Sequence, residues 1–327
     1  MGRVTKAIVI TATAMIAAGM ILSVIGFAFG GLNSVSFGSR GFRVYFEDER
    51  GFPGALRDVS QGLYERFTSI DVDVDAYFIE LREDDDYSVV IRNEYVRETL
   101  AFDIKDDVLT VRDTARSRER GIRRFLSVDW LRIFNGYDED DIPTIVITYP
   151  ANARLSNVDI EAAAGKVEVD GLEAASLSVD CSAGSLEIDE TSVQDLSVTM
   201  SAGECRIDDV RAESAVFDMD AGSFSAKGFD CGELTGDFRM GNVDVSGRLR
   251  GNVDISANMG SVSLKTDLPE WDYRVDLNVA LGAVSVGGRS VSGLNAGMTQ
   301  GSGRPDSENY TLRIRADMGN VDIAFAD

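Results

Sequence analysis

From residue 158 onward the chain repeats itself about every nineteen residues, and that period leaves few folds open to it. The marker is a glycine behind a small, thioether or aliphatic residue. Gly165, Gly184, Gly203, Gly222, Gly241 and Gly260 follow one another at intervals of 19 residues; Gly282 comes 22 later and Gly319 a further 37. Apolar residues stand seven, five and three positions before most of these glycines, as in Val158/Ile160/Ala162 and Leu177/Val179/Cys181. Two and four positions after them come pairs such as Val167/Val169, Leu186/Ile188 and Val243/Val245. Each copy therefore reads as a period-two strand, a glycine corner and a second period-two strand. A lone copy buries too little to offset the entropy of ordering its backbone, so the copies must stack. The pattern predicts an all-β chain, a parallel β-helix or β-solenoid with rungs of about 19 residues. The eight glycines should sit at its corners, where φ is positive or two backbones approach closely.

The absence of histidine removes Ser-His-Asp and Cys-His catalysis and every histidine metal site. With 32 basic against 55 acidic residues the net charge is −23, and residues 151–327 carry 14 and 30 of these, net −16. A surface so acidic argues against nucleic acid as a partner. Its plainest use is solubility and the blocking of edge-to-edge association. Cys181, Cys205 and Cys231 form no CxxC pair and fall at different places in the repeat. The first two read as small core residues. Outward carboxylates recur at fixed offsets: Glu168, Glu187 and Asp244 three after the corner, Asp170, Asp189 and Asp208 five after it. That regularity suits solvated strand faces better than a catalytic pair. No catalytic residue, cofactor site or metal site is expected.

Residues 7–29 are uncharged and dominated by Ile, Val, Ala, Met and Phe. They are long enough to cross a bilayer as a helix, and Arg3 and Lys6 before them place the N-terminus in the cytoplasm. The expected organisation is a cytoplasmic tip and transmembrane anchor over 1–29 and a juxtamembrane stalk over 30–66 with a short helix near 55–65. Irregular rungs then cap the N-terminal end over 67–150, with an insertion at 113–141, and the regular solenoid occupies 151–327. The insertion carries Arg120, Arg123, Arg124, Phe125, Trp130 and Phe134 at helical spacing. It suits a flap on the solenoid, a basic amphipathic helix on the membrane surface, or a partner contact. Residues 287–309, rich in Gly and Ser, read as a mobile loop or a flap over the last rung, and the chain shows no separate C-terminal cap.

The glycine-cornered repeats, preceded by a strand-rich module and one N-terminal apolar segment, resemble the bacterial β-strand-repeat family labelled "putative adhesin". That family is largely a domain of unknown function and is similar to auto-transporter adhesin head domains. The resemblance covers about residues 67–327. It implies an extracytoplasmic solenoid on a single-pass anchor, acting in surface adhesion or envelope stress through an envelope protein or polysaccharide. The competing expectation is a carbohydrate-active β-helix enzyme, a lyase or hydrolase, which would need a cleft with convergent carboxylates.

Overall fold

The computed structural model describes residues 35–38, 41–44, 56–59, 66–95, 100–113, 144–300 and 310–326. They fold as strands joined by short turns: β1 (Val35–Gly38), β2 (Gly41–Val44), β3 (Leu56–Val59), β4 (Ser69–Asp84), β5 (Ser88–Tyr95), β6 (Leu100–Lys105), β7 (Val108–Asp113), β8 (Thr144–Pro150), β9 (Leu155–Asp170), β10 (Glu173–Asp189), β11 (Ser192–Asp208), β12 (Arg211–Leu249), β13 (Val253–Pro269), β14 (Tyr273–Val286), β15 (Arg289–Gln300) and β16 (Tyr310–Ala326). A single 3-10 turn, Glu270–Asp272, joins β13 to β14. β1 and β2 pair with each other as an antiparallel hairpin and belong to the smaller of the chain's two units. The stretch expected to be a short helix contains strand β3 instead, paired antiparallel with β5. Its four residues meet a β-strand partner, and pairing overrides a weak helical pattern. No helix among the described residues is long and apolar enough to cross a membrane; residues 7–29 lie outside them.

The second unit holds one sheet of fourteen strands, all-β as the period requires. From β9 to β13 successive rungs pair in parallel and in register, offset by 19 residues: Leu177 opposite Leu196, Gly184 opposite Gly203, Ile188 opposite Ile207. The apolar positions at −7, −5, −3, +2 and +4 point to one side and form a continuous buried core. Val167 and Val169 are on that inner side, at 0% and 1% exposure. The copy ending at Gly241 has Gly236 where the others place an apolar side chain. There the Phe238 ring lies over Gly236, so closely that a Cβ on Gly236 would stand 2.4 Å from it, and fills the space the missing side chain leaves. Phe238 also meets Phe224, which contacts Phe217, giving the middle rungs an aromatic column with centroids 5.3 and 4.5 Å apart.

The first rung is β4, and its register shows why it escapes the glycine pattern. Ile70, Val72 and Val74 stand seven, five and three before Tyr77, and Ile79 and Leu81 two and four after it. Tyr77 pairs with Gly165, the next corner. On the other side of β4 the layer is divided: β7 pairs with residues 69–73 and β8 with residues 78–84. Among the described residues no strand continues the ladder across the corner itself, and a side chain is accommodated there. Antiparallel partners β6 and β5 then flank β7 and β8.

The other end departs from simple stacking. The strands lie in the order β13, β16, β14, β15, so Gly260 faces Gly319 and Gly319 faces Gly282. The last strand of the chain is thus inserted between two earlier ones, where the repeat order would place Gly282 directly on Gly260. The spacing accommodates it: the interval from Gly260 to Gly282 exceeds 19 by three residues, and the chain between them carries a register shift at Lys265–Pro269 followed by the 3-10 turn, where it passes over one strand position. Most of the segment read as a loop or flap is strand β15, which turns back on β14 through Gly287 and Gly288, at φ 51° and 78°. Two consecutive positive φ values are what a tight two-residue hairpin requires. β15 is an antiparallel last strand, where none was expected.

Candidate functional site

The described residues offer one feature repeated along the whole stack, its outward face, built by the corner glycines that hold the register. All eight have φ between +138° and +153°. At each, an added Cβ would meet a backbone oxygen of the neighbouring rung at 1.5–2.1 Å, for example the Gly203 oxygen at 1.8 Å from Gly222. Both reasons for glycine, the backbone conformation and the close approach, therefore operate at the same residue.

The sequence reading missed a second corner six residues after the first. Gly171, Glu190, Asp209, Gly228 and Gly247 all have positive φ there. After it the chain turns inward again, burying Leu172, Thr191, Val210 and Phe229, then Ala174, Val193, Ala212 and Cys231. Backbone bonds such as Ser192 N–H to the Leu172 oxygen and Arg211 N–H to the Thr191 oxygen, 2.7 and 2.9 Å, carry the stacking around this side. A signal was present: glycine and Asp tolerate the left-handed region, and three of the five positions are glycine.

Exact register turns outward residues into ladders. Asp170 pairs with Asp189 and Asp189 with Asp208; Glu80 pairs with Glu168 and Glu168 with Glu187. Neighbouring strands are about 4.8 Å apart, so like charges are held one strand apart. The second ladder is partly compensated by Lys166, which bridges Glu168 and Glu187, the latter at 3.8 Å. The first ends on Lys227, opposite Asp208. Slight local desolvation first, and then the charges of Asp170, Asp208 and Asp209, push the carboxyl of the exposed Asp189 above its usual range, against the backbone N–H of Glu190 that lowers it. Such a group takes up a proton on folding. Below the unfolded carboxyl pKa both states are protonated and nothing is lost; above the raised folded pKa the ionised side chain opposes folding. Asp189→Asn should therefore be slightly stabilising at neutral pH, with the gain vanishing as pH falls below about 4. Urea midpoints at pH 7 and pH 3 check both halves.

A groove of about 600 Å³ runs beside the starts of β10 to β12, lined by Ala174, Val193, Arg211, Ala212, Asp230 and Arg250. Its charges are coupled: Arg211 and Arg250 both reach Asp230, at 3.6 and 2.5 Å. The three cysteines are buried and free. Burial pushes Cys181 up to about 11 and Cys231 up to about 12, and Cys205 higher still. None should react with a thiol reagent at pH 8 in the folded protein, and all three should react in denaturant; a fast-reacting thiol in the native state would contradict this placement. Among the described residues no group of three or more acidic or cysteine side chains is arranged to hold a metal ion. Arg120, Arg123, Arg124, Phe125, Trp130 and Phe134 lie outside the described residues, as does nearly all of the 113–141 insertion.

Several solved structures are similar to this chain, among them the following three. A putative adhesin from Bacteroides fragilis shares 13% identity over 84% of this chain and 100% of its own, with a TM-score of 0.47. A putative cell adhesion protein from Clostridium sporogenes shares 12% over 83% and 100%, TM-score 0.27. A putative lipid binding protein from Parabacteroides distasonis shares 14% over 81% and 96%, TM-score 0.37. The words adhesion and lipid binding belong to those proteins. No curated protein sequence matches the chain. Residues 67–324 match the family model described as Toastrack DUF4097.

Proposed function

The chain belongs to the Toastrack DUF4097 family, and from that premise we propose that it is a non-enzymatic display scaffold. In this reading residues 7–29 anchor it in the membrane, and the rungs form a closed β-solenoid on the extracytoplasmic side. Its acidic face engages a cationic envelope component or a basic protein surface, in adhesion or in sensing envelope stress. One observation carries the reading: carboxylates stacked on successive rungs, Asp170, Asp189 and Asp208, in strict register. Like charges held this close oppose folding, and a basic partner relieves that repulsion. A rigid stack also presents its charges at a fixed repeat, so a partner meets them already ordered.

The carbohydrate-active alternative needs two carboxyls facing each other across a space that seats a sugar ring. The ladder carboxylates stand side by side on an outward strand face. Of the three groove carboxyls, Glu173, Glu213 and Asp230, the first is engaged by Arg154 and the last by two arginines. Both arrangements favour display over glycoside chemistry.

The test uses the full chain in its own membranes, cross-linked and captured at low and high salt. A basic partner should be retained at low salt. Changing Asp170, Asp189 and Asp208 together to Asn should weaken its capture at least tenfold. Equal capture by that variant would overturn the acidic-face reading. Orientation is read separately: protease outside intact cells should remove the solenoid and spare the N-terminal segment, and a fully protected solenoid would reverse the topology.

A further inference from the structure

The far end of the sheet is open in an unusual way. β15 is the last strand of the order, and among the described residues it pairs only with β14, its other edge having no partner among them. Edge strands are usually blunted by charge or proline. Here none of the fourteen residues 290–303 is charged and none is proline, in a chain whose regular rungs each carry several acids. β15 itself, RSVSGLNAGMTQ, is mostly small residues.

Two further observations concern what this edge can receive. Gly293 has the corner conformation, φ +137°, but a Cβ there would meet nothing within 4 Å. At the stacked corners the same direction runs straight into a neighbouring backbone. The backbone at Gly293 is thus shaped as at a stacked corner and faces open space. Val291 pairs with Val284, which is fully buried, so both are on the inner face; yet Val291 is 43% exposed. A further strand laid along β15 would cover it.

We propose that the free edge of β15 is a self-association surface, on which a second copy of this chain lays its own β15 antiparallel about a twofold axis near Gly293. The molecule already contains the required pairing. β14 and β15 run antiparallel with corner on corner, Gly282 opposite Gly293 and Leu281 opposite Leu294. A twofold at Gly293 repeats that arrangement, setting residues 289–297 of one copy against the same residues of the other. The charge argument selects a second copy as the occupant. Two chains of net charge −23 repel over most of their surfaces, and this edge, charged only at Arg289 where it begins, is where their backbones can meet. A row of exposed apolar side chains, Met240, Met259, Met318 and Leu281, runs in register toward the same end and reaches the strand next to β15. A twofold pair uses each β15 edge once, so it closes as a dimer and does not grow into a fibre. One strand per copy is a small interface, so association should depend on concentration, and tethering to a common membrane would favour it.

The experiment takes the full chain in detergent and measures protein mass per particle over a wide concentration range, with hydrogen exchange at both extremes. The mass should rise from one copy to two, and amides of residues 289–297 should slow at the high end. The double variant Ser290→Lys with Ser292→Lys changes two exposed residues and sets like charges against the axis. It should weaken association at least tenfold while melting as the parent does. One copy throughout would overturn the proposal, as would equal association by the variant. Protection of 289–297 in single-copy particles would assign the edge to another part of the same chain. If the variant does not fold, the exchange pattern of the parent alone decides: slowing confined to other strands would overturn the proposal.

Discussion

Replacing Gly222 by valine should cost more than about 3 kcal/mol, while valine at the adjacent Ser223 should change stability by about 0.5 kcal/mol or less. Gly222 has φ +141°, a region closed to a β-branched residue, and its Cβ would lie 1.8 Å from the Gly203 oxygen. No rotamer relieves that clash, because it involves Cβ and a backbone atom. The two rungs would have to part, breaking ladder bonds on both arms. Ser223 faces water and its side chain can change freely. The protein supplies its own control at Tyr77, a large residue at the corner position of the first rung, where among the described residues no strand ladder crosses on the far side. Denaturant midpoints for the two valine variants decide the matter; equal values would remove the corner role from Gly222. Because rungs contact mainly their neighbours, the loss should be greatest at this rung and the two that stack on it.

The same physics explains which parts of the fold were legible. Positions two apart that share a face, and a backbone contact only glycine permits, leave periodic marks, so the interior rungs could be read residue by residue. Tyr77 hid the first rung because the constraint that demands glycine is absent there. The second corner was overlooked because Glu190 and Asp209 reach positive φ without being glycine, and because Thr191 occupies a buried place that a hydrophobic pattern skips. Strand order is a different kind of fact. β14 and β16 carry the same apolar pattern, so either could pair with β13, and only the intervals of 22 and 37 residues hinted that they exchange places. The outward ladders were visible as offsets, but their use is set by a partner whose chemistry the chain records only as a sign of charge.

Removing residues 310–327 should have the second large effect, and a sharply bounded one. β16 is an interior strand: it pairs with β13 on one side and β14 on the other and buries Leu312, Ile314, Val321 and Ile323. Its loss leaves two unpaired edges and an open core. The truncated chain has one escape, since β14 has the apolar pattern of a rung and could close directly onto β13. Tyr273 opposes that shift. It is fully buried at the start of β14, its hydroxyl donates to the Leu249 oxygen at 2.5 Å and lies 2.9 Å from the Thr266 hydroxyl. Moving β14 by one strand would break those bonds and leave buried polar groups unpaired, each costing about 1–3 kcal/mol. Hydrogen exchange should therefore show amides of β14, β15 and the outer edge of β13 losing protection, while β9 to β11, several rungs away, keep theirs. Retained protection across β14 with a stability near that of the parent would mean that β14 restacks, and that the chain's last strand is dispensable to the sheet it now divides.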